Sequence, residues 1–261
     1  MSLAAGVDER YIELQDGRIR TRVLSAGSGP PVVFLHGFSG LAWDPFLTDL
    51  AGRHTVYAPE HPGSGDSAGL EHLDTIWDLV LYYNDLLDAL DLPAAALIGH
   101  SFGGMVAAEV AANNPERATR LVLIAPLGLW RDDYPVADIA GIPQREMMRR
   151  TVHDQRSPLA RLVLPPRDDP EALFRASVAR ASVLHFIWPI PDKGLHKRLH
   201  RVKAPTLIVW GRQDGLAPPL YAEEFAARIP KAQVELIDQA AHLVHLEQRE
   251  AVLRAVEAFL G

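Results

Sequence analysis

Ser101 sits between two glycines in Gly99-His100-Ser101-Phe102-Gly103. A serine hydroxyl becomes a useful nucleophile only beside a base that takes its proton, and the base works best when an acid orients it. Two histidines and two aspartates downstream are candidates. His242 lies in Asp238-Gln239-Ala240-Ala241-His242, and His245 follows three residues later. Asp214 lies in Gly211-Arg212-Gln213-Asp214-Gly215, and Asp132 is the alternative acid. Such a set supports acyl transfer: attack by the serine, proton transfer through the histidine, and an aspartate that fixes the imidazole tautomer. The order serine, acid, histidine is the one found when the nucleophile stands on a strand-to-helix turn.

The elements that must position these groups are legible around them. Ala94-Ala95-Ala96-Leu97-Ile98 reads as a buried strand running into Ser101, and Met105 to Ala112 reads as a small-residue helix leaving it. A serine at such a junction is a nucleophile elbow, with a turn so tight that its backbone is strained and its hydroxyl stands above the sheet. Pro205 to Gly211 and Gln233 to Ile237 read as strands just before Asp214 and His242. Both candidates therefore fall at strand C-terminal ends, where open α/β sheets hold their sites. Val32 to Leu35 is another apolar run and enters the turn His36-Gly37-Phe38. Further strands are expected at Tyr11 to Leu14 and Arg18 to Leu24, a hairpin around Asp16-Gly17, and at Thr55 to Ala58 and Leu121 to Ile124. Helices are expected at Trp43 to Leu50, at Asp74 to Leu90 with an apolar face from Ile76 to Leu90, and from about Glu247 to Leu260. Strands alternating with helices imply a mostly parallel sheet covered on both faces.

Five segments appear in one order: His36-Gly37-Phe38, His61-Pro62-Gly63-Ser64-Gly65-Asp66-Ser67, the serine elbow, Gly211-Arg212-Gln213-Asp214, and His242-Leu243-Val244-His245-Leu246-Glu247. In these the chain resembles the α/β-hydrolase superfamily, in its capped, serine esterase-like branch, from about Tyr11 to Gly261. The resemblance implies an eight-stranded, mostly parallel sheet flanked by helices, with core segments 1–126 and 202–261 and a helical cap over 127–201. It implies Ser101 as nucleophile, His242 as base and Asp214 as acid. It also implies an oxyanion hole made by the backbone N–H groups of Phe38 and Phe102. Three positions depart from the usual pattern. Glu60 replaces an Asp, Ala241 replaces a Gly, and Leu243 stands where relatives that cleave carbon–carbon bonds tend to carry an aromatic.

The chain has 261 residues, a formal net charge of −7, 48% apolar residues and no cysteine. The absence of cysteine excludes disulfides and thiolate metal sites and suits a cytoplasmic location. The acidic balance argues against nucleic acid as a partner. No run of eighteen apolar residues suggests a membrane span, and no secretory signal is visible in Met1-Ser2-Leu3-Ala4-Ala5-Gly6. Histidine is abundant but lacks metal-ligand spacing, so no metal is expected. Gly63-Ser64-Gly65 does not read as a phosphate loop, because no lysine-bearing helix follows it. His36 and His100 read as hydrogen bonders that shape their loops.

The stretch 127–201 is broken by prolines, among them Pro135, Pro143, Pro158, Pro165-Pro166, Pro189 and Pro191. It holds 13 basic and 9 acidic residues, whereas the remainder holds 13 and 24. Trp130, Met147, Phe186 and Trp188 are its candidates for a substrate-pocket wall. The expected reaction is hydrolysis of small to medium apolar esters or lactones, with no cofactor, by a monomer or homodimer. The alternatives are a carbon–carbon bond hydrolase of the ring-fission type and a small-molecule sensor that retains the triad.

Overall fold

A computed structural model describes residues 5–160, 165 and 168–261. Met1 to Ala4 and Pro166 of the proline-broken stretch lie outside the described residues. Eight strands form one sheet in the order β1-β2-β4-β3-β5-β6-β7-β8. They are β1 (Asp8–Leu14), β2 (Ile19–Ala26), β3 (Pro31–Leu35), β4 (Thr55–Pro59), β5 (Ala95–His100), β6 (Ala118–Ile124), β7 (Thr206–Gly211) and β8 (Ala232–Ile237). β1 and β2 form an antiparallel hairpin, and β2 pairs antiparallel with β4. From β4 to β8 every pairing is parallel.

The two faces of the sheet bury separate cores. On one face pack α1 (Pro45–Leu50) and the C-terminal α8 (Arg249–Leu260), with Phe46, Leu47, Val252 and Val256 against Val32, Ile98 and Val122. On the other pack α2 (Ile76–Ala89), α3 (Phe102–Asn113) and α6 (Tyr221–Ala226). α2 begins where Thr75 and Asp78 form a reciprocal capping box, which satisfies helix N–H groups that would otherwise be unpaired. Its buried side is Ile76, Leu79, Val80, Tyr83, Leu86 and Leu87, as the apolar spacing predicts, with Tyr82 added. Tyr82 is buried because its hydroxyl bonds Thr21 on β2 at 2.8 Å. α1 begins later than the apolar pattern suggests. Asp44 caps it by accepting the Leu47 N–H, and Pro45 occupies its first turn. The helix expected from Glu247 is interrupted at Gln248, which leaves a short α7 (Val244–Glu247) ahead of α8.

Between β6 and β7 the chain leaves the sheet. This stretch carries α4 (Gln144–Thr151), α5 (Pro170–Ile187) and two short 3₁₀ turns at Leu195–Lys197 and Leu199–Arg201. It departs from the C-terminal end of β6 and returns before β7, so it emerges on the side of the sheet where Ser101 stands. Among the described residues, no helix is long and apolar enough to cross a membrane.

Candidate active site

β5 lies between β3 and β6 and is buried along its whole length. Ser101 follows it directly with φ 57° and ψ −119°, a combination that L-residues rarely adopt. The surrounding structure holds this strain. The Ser101 N–H donates to the Ile124 carbonyl at 2.9 Å, and its carbonyl accepts from Leu127 and Met105. α3 can start so close to the sheet only because its first turn is bare. A Cβ on Gly103 would stand 2.0 Å from the Leu35 carbonyl oxygen.

His242 comes from the loop after β8 and Asp214 from the loop after β7. His242 Nε2 is 2.8 Å from Ser101 Oγ, and His242 Nδ1 is 2.7 Å from Asp214 Oδ2. With an ionised Asp214, the imidazole donates from Nδ1 and presents a lone pair at Nε2 to the serine hydroxyl. Asp214 is held on all sides. Oδ2 also accepts from the Trp210 indole at 3.0 Å, and Oδ1 accepts from the N–H groups of Leu216 and Ala217. Ser101 and His242 are fully buried.

The loops that carry Asp214 and His242 are pinned by the excursion between β6 and β7. The last carbonyls of α4 accept from both: Arg150 from Gly215, and Thr151 from Leu243. Glu247 accepts from the Ala241 N–H at 2.7 Å and from the His153 N–H at 2.6 Å. Trp210, Glu247 and the end of α4 thus support the site without any signature in the local sequence. His100 also contributes, donating from Nε2 to the His242 carbonyl at 2.9 Å.

The turn after β3 meets Ser101 from the other side. A Cβ on Gly37 would stand 3.1 Å from the Ser101 Cβ and 3.0 Å from the His100 ring, so a side chain there would have to push both aside by a few tenths of an ångström. Among the described residues, neither the Phe38 N–H nor the Phe102 N–H has an acceptor. The Phe38 ring lies nearly parallel to the His242 ring at 6.4 Å.

The alternative candidates, Asp132 and His245, lie away from the Ser101–His242–Asp214 run. Asp132 is exposed and accepts from the Trp130 indole. His245 is buried on α7 beside His100, ring centroids 4.4 Å apart, and burial lowers its pKa to about 3. It borders a cavity of about 100 Å³ whose other walls include Phe34, Gly37, Asp44 and His100 but not Ser101. The four candidate pocket residues divide. Phe186 on α5 is buried and stacks on Phe102 at 6.0 Å. Met147 is buried within α4. Trp130 and Trp188 border a separate small cavity with Leu127, Leu184 and Ile187, and Trp188 is 64% exposed. The structure therefore brings Phe186, and not Trp188, against the nucleophile elbow.

Glu60 fits its loop for a clear reason. Its buried carboxylate accepts from Arg22 Nη1 and from the Asp66 N–H, both at 2.9 Å.

A family model for the alpha/beta hydrolase family matches residues 32–255. The chain belongs to the alpha/beta hydrolase family. It is 28% identical over 252 residues to the pimeloyl-[acyl-carrier protein] methyl ester esterase of Vibrio campbellii, covering 90% of this chain and 96% of that protein. It is 30% identical to the polyketide synthase ThaQ of Burkholderia thailandensis over 94% of its own length, but spans only 12% of the synthase. Among solved structures it resembles the 2-hydroxy-6-oxo-6-phenylhexa-2,4-dienoate hydrolase of Rhodococcus sp. strain RHA1. The TM-score is 0.79 with 21% identity, covering 97% of this chain and 98% of the other. Membership makes this protein a hydrolase of the same eight-stranded architecture.

Proposed function

We propose that this hydrolase is a carboxylesterase that cleaves small to medium, largely apolar esters or lactones through a Ser101–His242–Asp214 triad. The hydrogen-bonded run from Ser101 Oγ through both ring nitrogens of His242 to Asp214 is the observation that carries the reading. Ser101 Oγ attacks the ester carbonyl carbon while His242 Nε2 takes its proton. The negative charge on the former carbonyl oxygen is received by the Phe38 and Phe102 N–H groups, which are fixed in place before the reaction. His242 then returns the proton to the departing alcohol, which leaves an acyl-enzyme. Water attacks this ester, with His242 again as base, and the acid and free Ser101 are regenerated. Asp214 keeps the imidazole in the tautomer that faces the serine. Its other three hydrogen bonds stop it from rotating away.

The segment 127–201 acts as the cap that sets substrate size, with Phe186 as the wall nearest the nucleophile and Met147, Trp130 and Trp188 further out. The Vibrio relative is named for a methyl ester substrate, which supports ester chemistry. Leu243 in place of an aromatic after the histidine favours it over carbon–carbon cleavage.

A panel of chromogenic esters of graded acyl length tests the proposal. Wild-type protein is expected to turn over many equivalents, and Ser101→Ala none. Phe186→Ala is expected to shift the preferred acyl chain towards longer esters while triad chemistry is retained. Failure of wild type on every ester, together with cleavage of a ring-fission dienoate, would replace this reading by the carbon–carbon one.

A further inference from the structure

Two buried histidines outside the triad fix each other's protonation. The His61 backbone N–H donates to His36 Nε2 at 3.0 Å, so that nitrogen carries a lone pair. His36 Nδ1 lies 2.8 Å from the Gly37 carbonyl, which can only accept, so Nδ1 bears the proton. His61 Nε2 lies 2.8 Å from the His36 carbonyl and must likewise donate. His61 Nδ1 is then left to accept from the Tyr83 hydroxyl, midway along α2. With both rings neutral, no choice of tautomer remains. Burial agrees with this assignment, lowering His36 to about 4 and His61 well below the ordinary histidine value.

The consequence lies in the two carbonyls. The His36 carbonyl belongs to the peptide ending at the Gly37 N–H, and the Gly37 carbonyl to the peptide ending at the Phe38 N–H. In a trans peptide the C=O and N–H point in opposite directions. Fixing both carbonyls therefore fixes two successive peptide planes and the direction of the Phe38 N–H. His61 also packs edge-on against Phe102, ring centroids 5.0 Å apart at 72°. His61 thus touches Phe102 directly and reaches the Phe38 peptide through His36.

We propose that His61, anchored by Tyr83 and acting through His36, is the positioning residue of the oxyanion hole. The inference rests on the esterase reading above. His61 does not contact substrate. It supplies a rigid N–H to the His36 carbonyl and a ring face to Phe102. Oxyanion donors act on the transition state more than on bound ester, so their misplacement lowers kcat and leaves KM nearly unchanged.

The test uses two substitutions at each histidine. His61→Phe keeps the ring against Phe102 but removes the Nε2 donor, and His61→Gln restores an N–H near the Nε2 position. His36→Asn keeps a donor near the Nδ1 position for the Gly37 carbonyl. His36→Gln instead keeps an acceptor near Nε2 for the His61 N–H. Steady-state kinetics on one ester and the inhibition constant of a boronic acid, which forms a tetrahedral adduct with the serine, are measured for each. His61→Phe and His36→Gln are expected to lose roughly tenfold to a hundredfold in kcat, with KM within about twofold and boronate affinity falling in parallel. His61→Gln and His36→Asn are expected to recover most of the loss. Should His61→Phe fail to fold, as judged by circular dichroism, the His36 pair decides alone. Wild-type kcat in His36→Gln, or equal losses in His36→Asn and His36→Gln, would overturn the proposal. Ser101→Ala, measured alongside, separates the two levels: activity surviving in it removes the esterase reading itself. Its inactivity beside a fully active His36→Gln removes only the positioning role.

Discussion

At the scale of single residues, Asp214 and its rival Asp132 make contrasting predictions. Asp214 accepts four hydrogen bonds, one of them from His242, and is buried. Asp214→Asn keeps the shape but can donate to the imidazole and favour the wrong tautomer. Its kcat is expected to fall on the order of 10³–10⁴-fold with little change in fold. Asp132→Asn, which loses only an exposed bond to Trp130, is expected to stay within about twofold of wild type. Stopped-assay kinetics on one good ester compares them, and an inactive Asp132→Asn beside an active Asp214→Asn would reassign the acid. The candidate triad is readable from the chain because each member follows a strand-like run, with glycines flanking Ser101 and next to Asp214. Its supports are not. Trp210 looks like an ordinary strand residue until its indole is seen on Asp214. His61 is one loop histidine among eleven until His36 is found 25 positions earlier in sequence at hydrogen-bond distance.

At the scale of elements, the joint between α3 and the return from the excursion carries a buried charge pair. Arg198 donates through Nε and Nη2 to the Glu109 carboxylate at 2.8 and 2.6 Å. Glu109 is 1% exposed on α3, and Arg198 stacks its guanidinium over the Trp77 ring at 4.7 Å. Removing one partner strands the other charge in a poor dielectric. Arg198→Met is expected to cost about 3–5 kcal/mol in denaturant unfolding. Adding Glu109→Gln should recover much of that cost, because no unpaired buried charge then remains. A cost under about 1 kcal/mol for Arg198→Met would show that the pair is solvated in solution. Helix periodicity made α2 and its apolar face legible, and β-branched runs did the same for the strands. The pairing of Glu109 with Arg198 spans 89 positions and follows from tertiary packing alone. The split of the last helix at Gln248 was equally hidden, since no proline or glycine marks it.

At the scale of the whole molecule, four buried neutral histidines make stability depend on acid. Burial lowers His36 to about 4 and His245 to about 3 from an ordinary 6.5, and lowers His61 and His100 as well. The unfolded chain binds these protons more readily than the native one. Stability is therefore complete above about pH 6.5 and is lost as pH falls towards the folded values, by about 1.4 kcal/mol per group per pH unit. Asp44 opposes this in part. Burial raises it to about 6 from 3.8, so its contribution is lost as pH rises through that interval. Burial raises Glu60 as well, but four groups outweigh two, and Tm is expected to drop steeply between pH 6.5 and 4; a flat profile there would mean that the histidines are hydrated or partnered in solution. The same enclosure leaves Ser101 and His242 without solvent exposure. The proposed chemistry stands or falls with Ser101 as a nucleophile activated by His242. Intact-protein mass spectrometry after incubation with a serine-reactive fluorophosphonate tests it most directly. One adduct per chain, mapped to the peptide that carries Ser101, slowed strongly in His242→Ala and absent from Ser101→Ala, is the predicted result. Undiminished labelling of Ser101→Ala, or an unlabelled wild type that still hydrolyses esters, would contradict it.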